Sequence, residues 1–276
     1  MIKAVFTDVD GTLLNKDRQL STRTINAIRS IADRVTVVLT SSRMPSAMRH
    51  LQAELGITNH PLICYNGGYV LASGLMEQVY ADHAIPLDVC RGIVAGASGT
   101  PIHVSLYQAD NWYALKQDKW TDKEARVTKV SPQFRSFDTV LDDWDKQGRG
   151  AHKIMCMGEA PDIASFYTWL SNHYGNQIHI YRSRPTYLEL ATNEVSKASG
   201  MNIIMSRHLK VSVAEAMAFG DNYNDVDMLR EAGIGVAVQN AIPEAKEVAN
   251  EVTAAGIEDG VAQSLERHFV LSGAAG

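Results

Sequence analysis

Short apolar runs alternate with helical stripes at both ends of the chain. Residues 2–10, IKAVFTDVD, form a mostly apolar run, the pattern of a strand buried on both faces. A helix is predicted next over STRTINAIRSIAD, with Ser21 as N-cap and Ile25, Ile28 and Ala32 on one face. RVTVVLT reads as a second strand. PSAMRHLQAELG reads as a helix that starts near Pro45, shares Met48, Leu51 and Leu55 on one face, and stops at Gly56. PLICYNGG is a third strand ending in a turn. Strand, helix, strand, helix, strand predicts an α/β fold, a Rossmann-like parallel-sheet core with crossover helices.

The rhythm changes from about Asp82 to Glu189. Strand-like pieces follow one another (PIHVSLYQ, NWYALK, HKIMCMG, QIHIYRS, TYLEL) with one clear helix, DIASFYTWLSNHYG, among them. This predicts an inserted α+β domain with antiparallel strands. After Asn193 the first rhythm returns. SKASGMNIIMSRHL is helical, and SVAEAMAFGD opens on a capping-box pair, Ser212 and Glu215, before a strand. NDVDMLREAG is helical, IGVAV is a strand, and two helices follow. The small-residue tail SGAAG is expected to fray. The expected division is a discontinuous core, residues 1–81 plus 192–276, and an insertion, residues 82–191.

The chain has 276 residues and 45% hydrophobic content, ample for one large core or two ordinary ones. Its net charge is −5 and no Lys/Arg cluster stands out, so a nucleic-acid partner is not expected. The three cysteines, Cys64, Cys90 and Cys156, match no metal-ligand spacing and read as reduced, buried residues. No apolar run reaches the roughly 18 residues of a membrane span, and the N-terminus lacks a signal layout. A cytoplasmic location with no membrane partner is expected. The number of subunits is left open.

The chemistry gathers where strands end. Asp8 and Asp10 are two apart on an extended run, so their carboxylates are expected on the same side, facing one point. Such a pair suits a hard cation, or a nucleophile beside a proton-transfer group. In FGDNYNDVDML a strand ends before Gly220, and Asp221 and Asp225 are expected on one helical face with Asn224 beside them. Carboxylates there would complete a magnesium site, while backbone N–H groups and Asn224 would reach phosphate oxygens. In LTSSR, Ser41 is placed to donate to a phosphate oxygen, with Arg43 two residues on.

Together these residues resemble the haloacid dehalogenase-like phosphohydrolases, in particular their Cof-like branch of sugar-phosphate phosphatases. The motif D-x-D-G-T stands as Asp8 to Thr12 and G-D-x-x-N-D as Gly220 to Asp225; Ser41 and Lys197 match the second and third motifs. The resemblance implies that Asp8 is the nucleophile, forming an aspartyl-phosphate, and that Asp10 protonates the leaving alcohol and then activates water. It implies Mg2+ held by Asp8, the Asp10 backbone and Asp221, with Asp225 in support, and phosphate oxygens held by Ser41 and Lys197. Gly11, Thr12, Ser42, Arg43, Asn66, Gly67 and Asn224 are expected around the phosphate. The insertion takes the place of that branch's larger cap, and the expected substrate is a small phosphorylated metabolite. Asp10, close to Asp8, is expected to hold its proton more readily than usual. A phosphomutase of related design and a non-catalytic phospholigand-binding protein remain the alternatives. Ser42, Asn222 and Ala198 each stand where the branch usually has glycine, which bears on loop geometry and substrate fit.

Overall fold

The structure, a computed structural model, describes residues 1–75 and 78–270. The SGAAG tail lies outside the described residues. The chain divides into two compact units, Met1–Asp82 with Val195–Gly276, and His83–Glu194. The second border falls after residue 192 because the strand Tyr187–Thr192 pairs within the inserted unit.

Among the described residues, the first unit is built on an eight-stranded sheet. Ala4–Asp8 lies at its centre, paired in parallel with Ala216–Gly220 on one side and Thr36–Thr40 on the other. Ile234–Val238 and Glu251–Thr253 extend it in parallel on the first side. On the other side Leu62–Cys64 is parallel, and Tyr69–Leu71 and Val79–Asp82 return antiparallel. The central strands are apolar because both faces are covered. Phe6, Val38, Ile63 and Ala218 pack with Met201, Ile204, Met228 and Leu229 on one face. Burying a side chain such as Phe6 contributes about 1.5–3 kcal/mol.

Register determines where the chemistry collects. Asp8 is opposite Thr40, and Thr7 is opposite Phe219. Asp8, Ser41 and Asp221 therefore lie at or just beyond the carboxyl ends of three adjacent parallel strands, the usual ligand edge of such a sheet.

The inserted unit holds a six-stranded sheet, antiparallel except for one parallel pair at its edge. Three helices, Leu87–Ala97, Phe137–Gln147 and Ala160–Tyr174, cover one face. Val89, Ile93, Leu141, Trp144, Ile163 and Leu170 pack there against Val104, Leu106, Ile154 and Leu188. Only the last of those helices is evident from sequence. Leu87–Ala97 carries Gly92 and Gly96, which lower helix propensity. A Cβ at Gly92 would meet the Tyr174 hydroxyl at 1.9 Å, and one at Gly96 the Trp169 ring at 2.1 Å. Close helix packing, not propensity, explains those glycines.

Two local expectations are corrected. Ser212 caps a short turn, Val213–Glu215, by accepting from the Ala214 N–H, and no reciprocal bond from Glu215 completes a capping box. Asp221 and Asp225 do not share a helical face, since the helix begins only at Val226. They meet because the Asp225 Oδ2 accepts the N–H groups of Asp221 and Asn222, each at 3.0 Å. Among the described residues, no helix is long and apolar enough to cross a membrane.

Candidate active site

Asp8 is the last residue of the central strand, and its carboxylate is almost wholly buried. Its Oδ1 accepts from Lys197 Nζ at 2.5 Å. The same Nζ donates to Asp225 Oδ1 at 2.6 Å. Lys197 and Asp225 are both fully buried. Burial disfavours the Lys197 ammonium, but Asp225 and Asp8 outweigh it and hold the group charged, above its ordinary range. Burial pushes Asp8 well above the usual carboxylate range; Lys197 opposes that, while Asp225 and Asp221 add to it.

Lys197 reaches this position from the first turn of the helix Lys197–Ile203. Ser196 caps that helix and exchanges hydrogen bonds with Ser199 in a capping box. Gly67, at φ +103°, lies against this start, and a Cβ on it would sit 2.3 Å from the Ser196 carbonyl oxygen. Gly67 is thus explained by backbone contact with the lysine-bearing turn. Gly67→Ala is expected to destabilise the protein by about 2 kcal/mol or more and to lower turnover by shifting Lys197. Urea unfolding and initial rates would check this; unchanged values in both would contradict it.

Asp10 has hydrogen-bond partners different from those of Asp8, though the Lys197 charge reaches both. Asp10 is itself extended, at φ −88° and ψ 115°, and the chain turns at Gly11, whose φ is +93°. Both Asp10 oxygens accept from Arg43, Oδ2 from Nε and Oδ1 from Nη2, each at 2.7 Å. Arg18 Nη1 lies 3.4 Å from Oδ1. Burial works to raise the Asp10 proton affinity, but the Arg43 fork, its charge and that of Arg18 pull it below the ordinary carboxylate range. The expectation of an easily protonated Asp10 is corrected. Each aspartate hydrogen-bonds a different cation, Asp8 to Lys197 and Asp10 to Arg43, which is how two carboxylates two residues apart coexist.

Gly11 also makes room for Asp221. A Cβ there would fall 2.3 Å from the Asp221 Oδ2. Thr12, expected at a phosphate, donates instead to Asp221 Oδ1 at 3.2 Å. Burial, then the nearby Asp225 charge, pushes Asp221 up to about 6. Asn224 donates to Asn66 Oδ1 at 3.0 Å, joining two loops. The Ser41 hydroxyl accepts the Arg43 N–H at 3.2 Å. Ser42 follows it in the same loop, partly exposed.

Sequence reasoning missed Arg18, Asn240 and Gly256. Asn240 donates to the Gly11 carbonyl at 2.9 Å and accepts the Gly256 N–H at 2.9 Å, bracing the turn from behind. None of the three stands in a recognisable motif, and only the fold brings them to the turn.

The donor set fits a hard dication. Asp8, Asp221 and Asp225 each place an oxygen within 4.8 Å of the others. Asp8 Oδ2 is buried without a hydrogen-bond partner, a costly arrangement for an acceptor unless another group meets it. With all three carboxylates ionised and the ammonium between them, the cluster carries two net negative charges, which a magnesium ion would cancel.

A carboxylate cluster lies beyond the carboxyl ends of a parallel sheet, with a buried lysine at its centre. The family of haloacid dehalogenase-like hydrolases matches residues 5–265, and the chain belongs to it. A Haemophilus influenzae protein provisionally named a phosphatase is 34% identical over 271 residues, covering 98% of this chain and 99% of that one. The solved structure of a haloacid dehalogenase-like hydrolase from Bacteroides thetaiotaomicron superposes with a TM-score of 0.89. It is 26% identical and covers 98% of this chain and 100% of its own. A subclass IIB sugar phosphatase of the same superfamily superposes with a TM-score of 0.77 at 25% identity, covering 97% of this chain and 98% of its own.

Proposed function

We propose that this phosphatase is a magnesium-dependent phosphomonoesterase that hydrolyses small phosphorylated metabolites, sugar phosphates foremost, through an aspartyl-phosphate on Asp8. The observation that carries the reading is the buried Asp8 Oδ2, unpartnered beside an oxygen already held by Lys197. A carboxylate with one oxygen anchored and one free of hydrogen bonds is oriented for attack on phosphorus. The sugar-phosphate assignment is supported by the likeness to the subclass IIB sugar phosphatase. Choice of leaving group is assigned to the inserted unit.

Asp8, Asp221 and Asp225 would hold the magnesium ion. When bound, it supplies positive charge against the phosphoryl oxygens. The chain's own residues do the rest. Lys197 neutralises charge at Asp8 and at the transferring group. At 4 Å, and an effective dielectric of 20, each unit charge pair repels by about 4 kcal/mol, so this neutralisation is a first requirement for attack. Asp10 moves the proton, first to the leaving oxygen and then from the attacking water. Arg43 and Arg18 favour its ionised form before substrate arrives, so proton delivery requires that the carboxyl gain a proton as substrate binds.

Phosphate release from a panel of sugar phosphates, nucleotides and other phosphomonoesters should vanish with chelator and return with magnesium. Release that is indifferent to chelation would refute the metal assignment. A second expectation follows from Asp221, raised from 3.8 to about 6. The metal-free fold binds a proton that the unfolded chain has released, so its stability falls as pH rises from about 4 to 6. Magnesium should reverse that loss. At about 100-fold excess over its dissociation constant it should raise the melting temperature by roughly 5 °C near pH 7.5, and much less near pH 5. Equal shifts at both pH values would show that Asp221 is not a ligand.

A further inference from the structure

Arg43 is held on every side. Its main-chain N–H donates to the Ser41 hydroxyl at 3.2 Å, and its carbonyl accepts the Tyr65 N–H at 3.2 Å. Its Nη1 donates to the Ala47 carbonyl at 3.2 Å, in the first turn of the helix Ser46–Leu55. That leaves Nε and Nη2, and both bond Asp10 at 2.7 Å. The side chain is 7% exposed, whereas that of Asp10 is 37% exposed. Each guanidinium nitrogen thus donates to protein, three of the five N–H donors being used. With 7% of the side chain exposed, the group is turned toward Asp10 and Ala47 and offers little surface to a phosphoryl group.

We propose that Arg43 is a positioning residue for Asp10 and not a ligand of the phosphoryl group. Its planar fork, anchored to Ala47, fixes the direction in which the Asp10 carboxylate meets the leaving oxygen. The inference rests on the reading of Asp10 as the acid and base. Two parallel bonds fix both tilt and rotation of a carboxylate, which a single ammonium cannot do. Arg18 is a weaker candidate for the same task. Its side chain is 42% exposed and its contact is 3.4 Å long, an arrangement that contributes little.

The test compares leaving groups. A nitrophenolate departs without a proton, whereas an alkoxide needs one. The value of kcat/KM reports the first transfer, to Asp8, and so isolates the acid step. Arg43→Lys and Arg43→Gln are made in the full chain, beside Asp10→Asn and the Asp10→Asn/Arg43→Lys double variant. The substrates are p-nitrophenyl phosphate and the alkyl phosphomonoester turned over fastest by the parent. Arg43→Lys is expected to lower kcat/KM about 100-fold on the alkyl ester and less than about 5-fold on the aryl ester. Inhibition by inorganic phosphate should stay within about twofold, and Arg43→Lys should add nothing in the Asp10→Asn background.

Equal losses on both esters with weakened phosphate inhibition would assign Arg43 to the phosphoryl group and overturn the proposal. Losses that multiply in the double variant would do the same. If Asp10→Asn discriminates between the esters and the Arg43 variants do not, the positioning role alone fails. If Asp10→Asn itself does not discriminate, the acid–base reading falls, and this inference with it. Should Arg43→Gln fail to fold, Arg43→Lys, which keeps the charge, decides the outcome.

Discussion

Asp8→Asn is expected to abolish phosphate release, by on the order of 10⁵-fold or more, while the metal-free protein becomes more stable. The two effects have one cause. Asp8 is buried beside Asp225 and Asp221, and burial with those charges raises its proton affinity well above the ordinary range despite Lys197. A folded-state pKa above the unfolded value means that ionisation of Asp8 opposes folding once the pH exceeds the unfolded value. Asparagine keeps the shape and an acceptor for Lys197 but carries no charge. It removes that opposition and, with it, the proposed nucleophile. Near neutral pH without metal, the variant should melt a few degrees above the parent. With magnesium the order should reverse, because one of the three carboxylates proposed to hold the metal is gone. Differential scanning calorimetry with and without magnesium, beside an acid-quenched labelling experiment with a ³²P substrate, measures both sides. A variant that melts lower than the parent without metal would show that the Lys197 attraction exceeds the cost of burying Asp8. Residual covalent label would move the nucleophile elsewhere.

The parallel core was legible because its strands are buried on both faces, and a continuous apolar run of strand length marks such a strand. The ends of those runs pointed to Asp8, Ser41 and Asp221, since side chains there leave the sheet where the next helix has not begun. Pairwise geometry beyond that point was not legible. Period-two spacing assumes one unbroken strand, but the strand ends at Asp8; Asp10 is extended beyond it and the turn follows at Gly11. Helical spacing put Asp221 and Asp225 on one face, but the helix starts at Val226 and a side-chain cap joins them instead. Three helices of the inserted unit escaped notice, Lys119–Thr128 and Phe137–Gln147 because they are rich in charge and Leu87–Ala97 because glycines interrupt its stripe. Arg43, Thr12 and Gly67 were expected around a phosphate because of the company they keep in sequence. The structure gives each a protein partner: Asp10, Asp221 and the Ser196 backbone. Residues beside a reactive carboxylate often serve by holding it, and local sequence does not separate that task from contact with substrate.

The division of counter-ions gives Asp8 and Asp10 different chemistry from the same side chain. Asp8 is desolvated, shares a buried lysine with Asp225 and keeps one oxygen without a hydrogen bond. Asp10 is partly exposed and gripped by a guanidinium through both oxygens. The first arrangement suits a nucleophile; the second suits a group that must take a proton from solvent and return it.

Lys197→Met should cost about 3–5 kcal/mol of stability and lower turnover at least about 10³-fold. Lys197 has no exposed surface and bonds two carboxylates at 2.5 and 2.6 Å. Methionine fills much the same volume with an unbranched chain, so a cavity is not the main loss. The loss is that Asp8 and Asp225 remain buried with no cation between them. Asp225 also accepts two backbone N–H groups from the loop that carries Asp221, so the strain reaches that carboxylate as well. Arginine is not a conservative replacement, because a planar fork cannot occupy the point from which one ammonium reaches both oxygens. The pH dependence carries the diagnosis. Protonation of Asp8 relieves the uncompensated charge, and its proton affinity is already raised by burial. The variant's deficit should therefore shrink as pH falls, and urea unfolding near pH 8 and near pH 5 should show a larger difference from the parent at the higher value. Magnesium should recover part of the deficit, since a dication returns positive charge to the same carboxylates. A variant with the parent's stability at both pH values would mean that Asp8 gives up its charge without Lys197, and that the lysine acts on the transferring phosphoryl group alone.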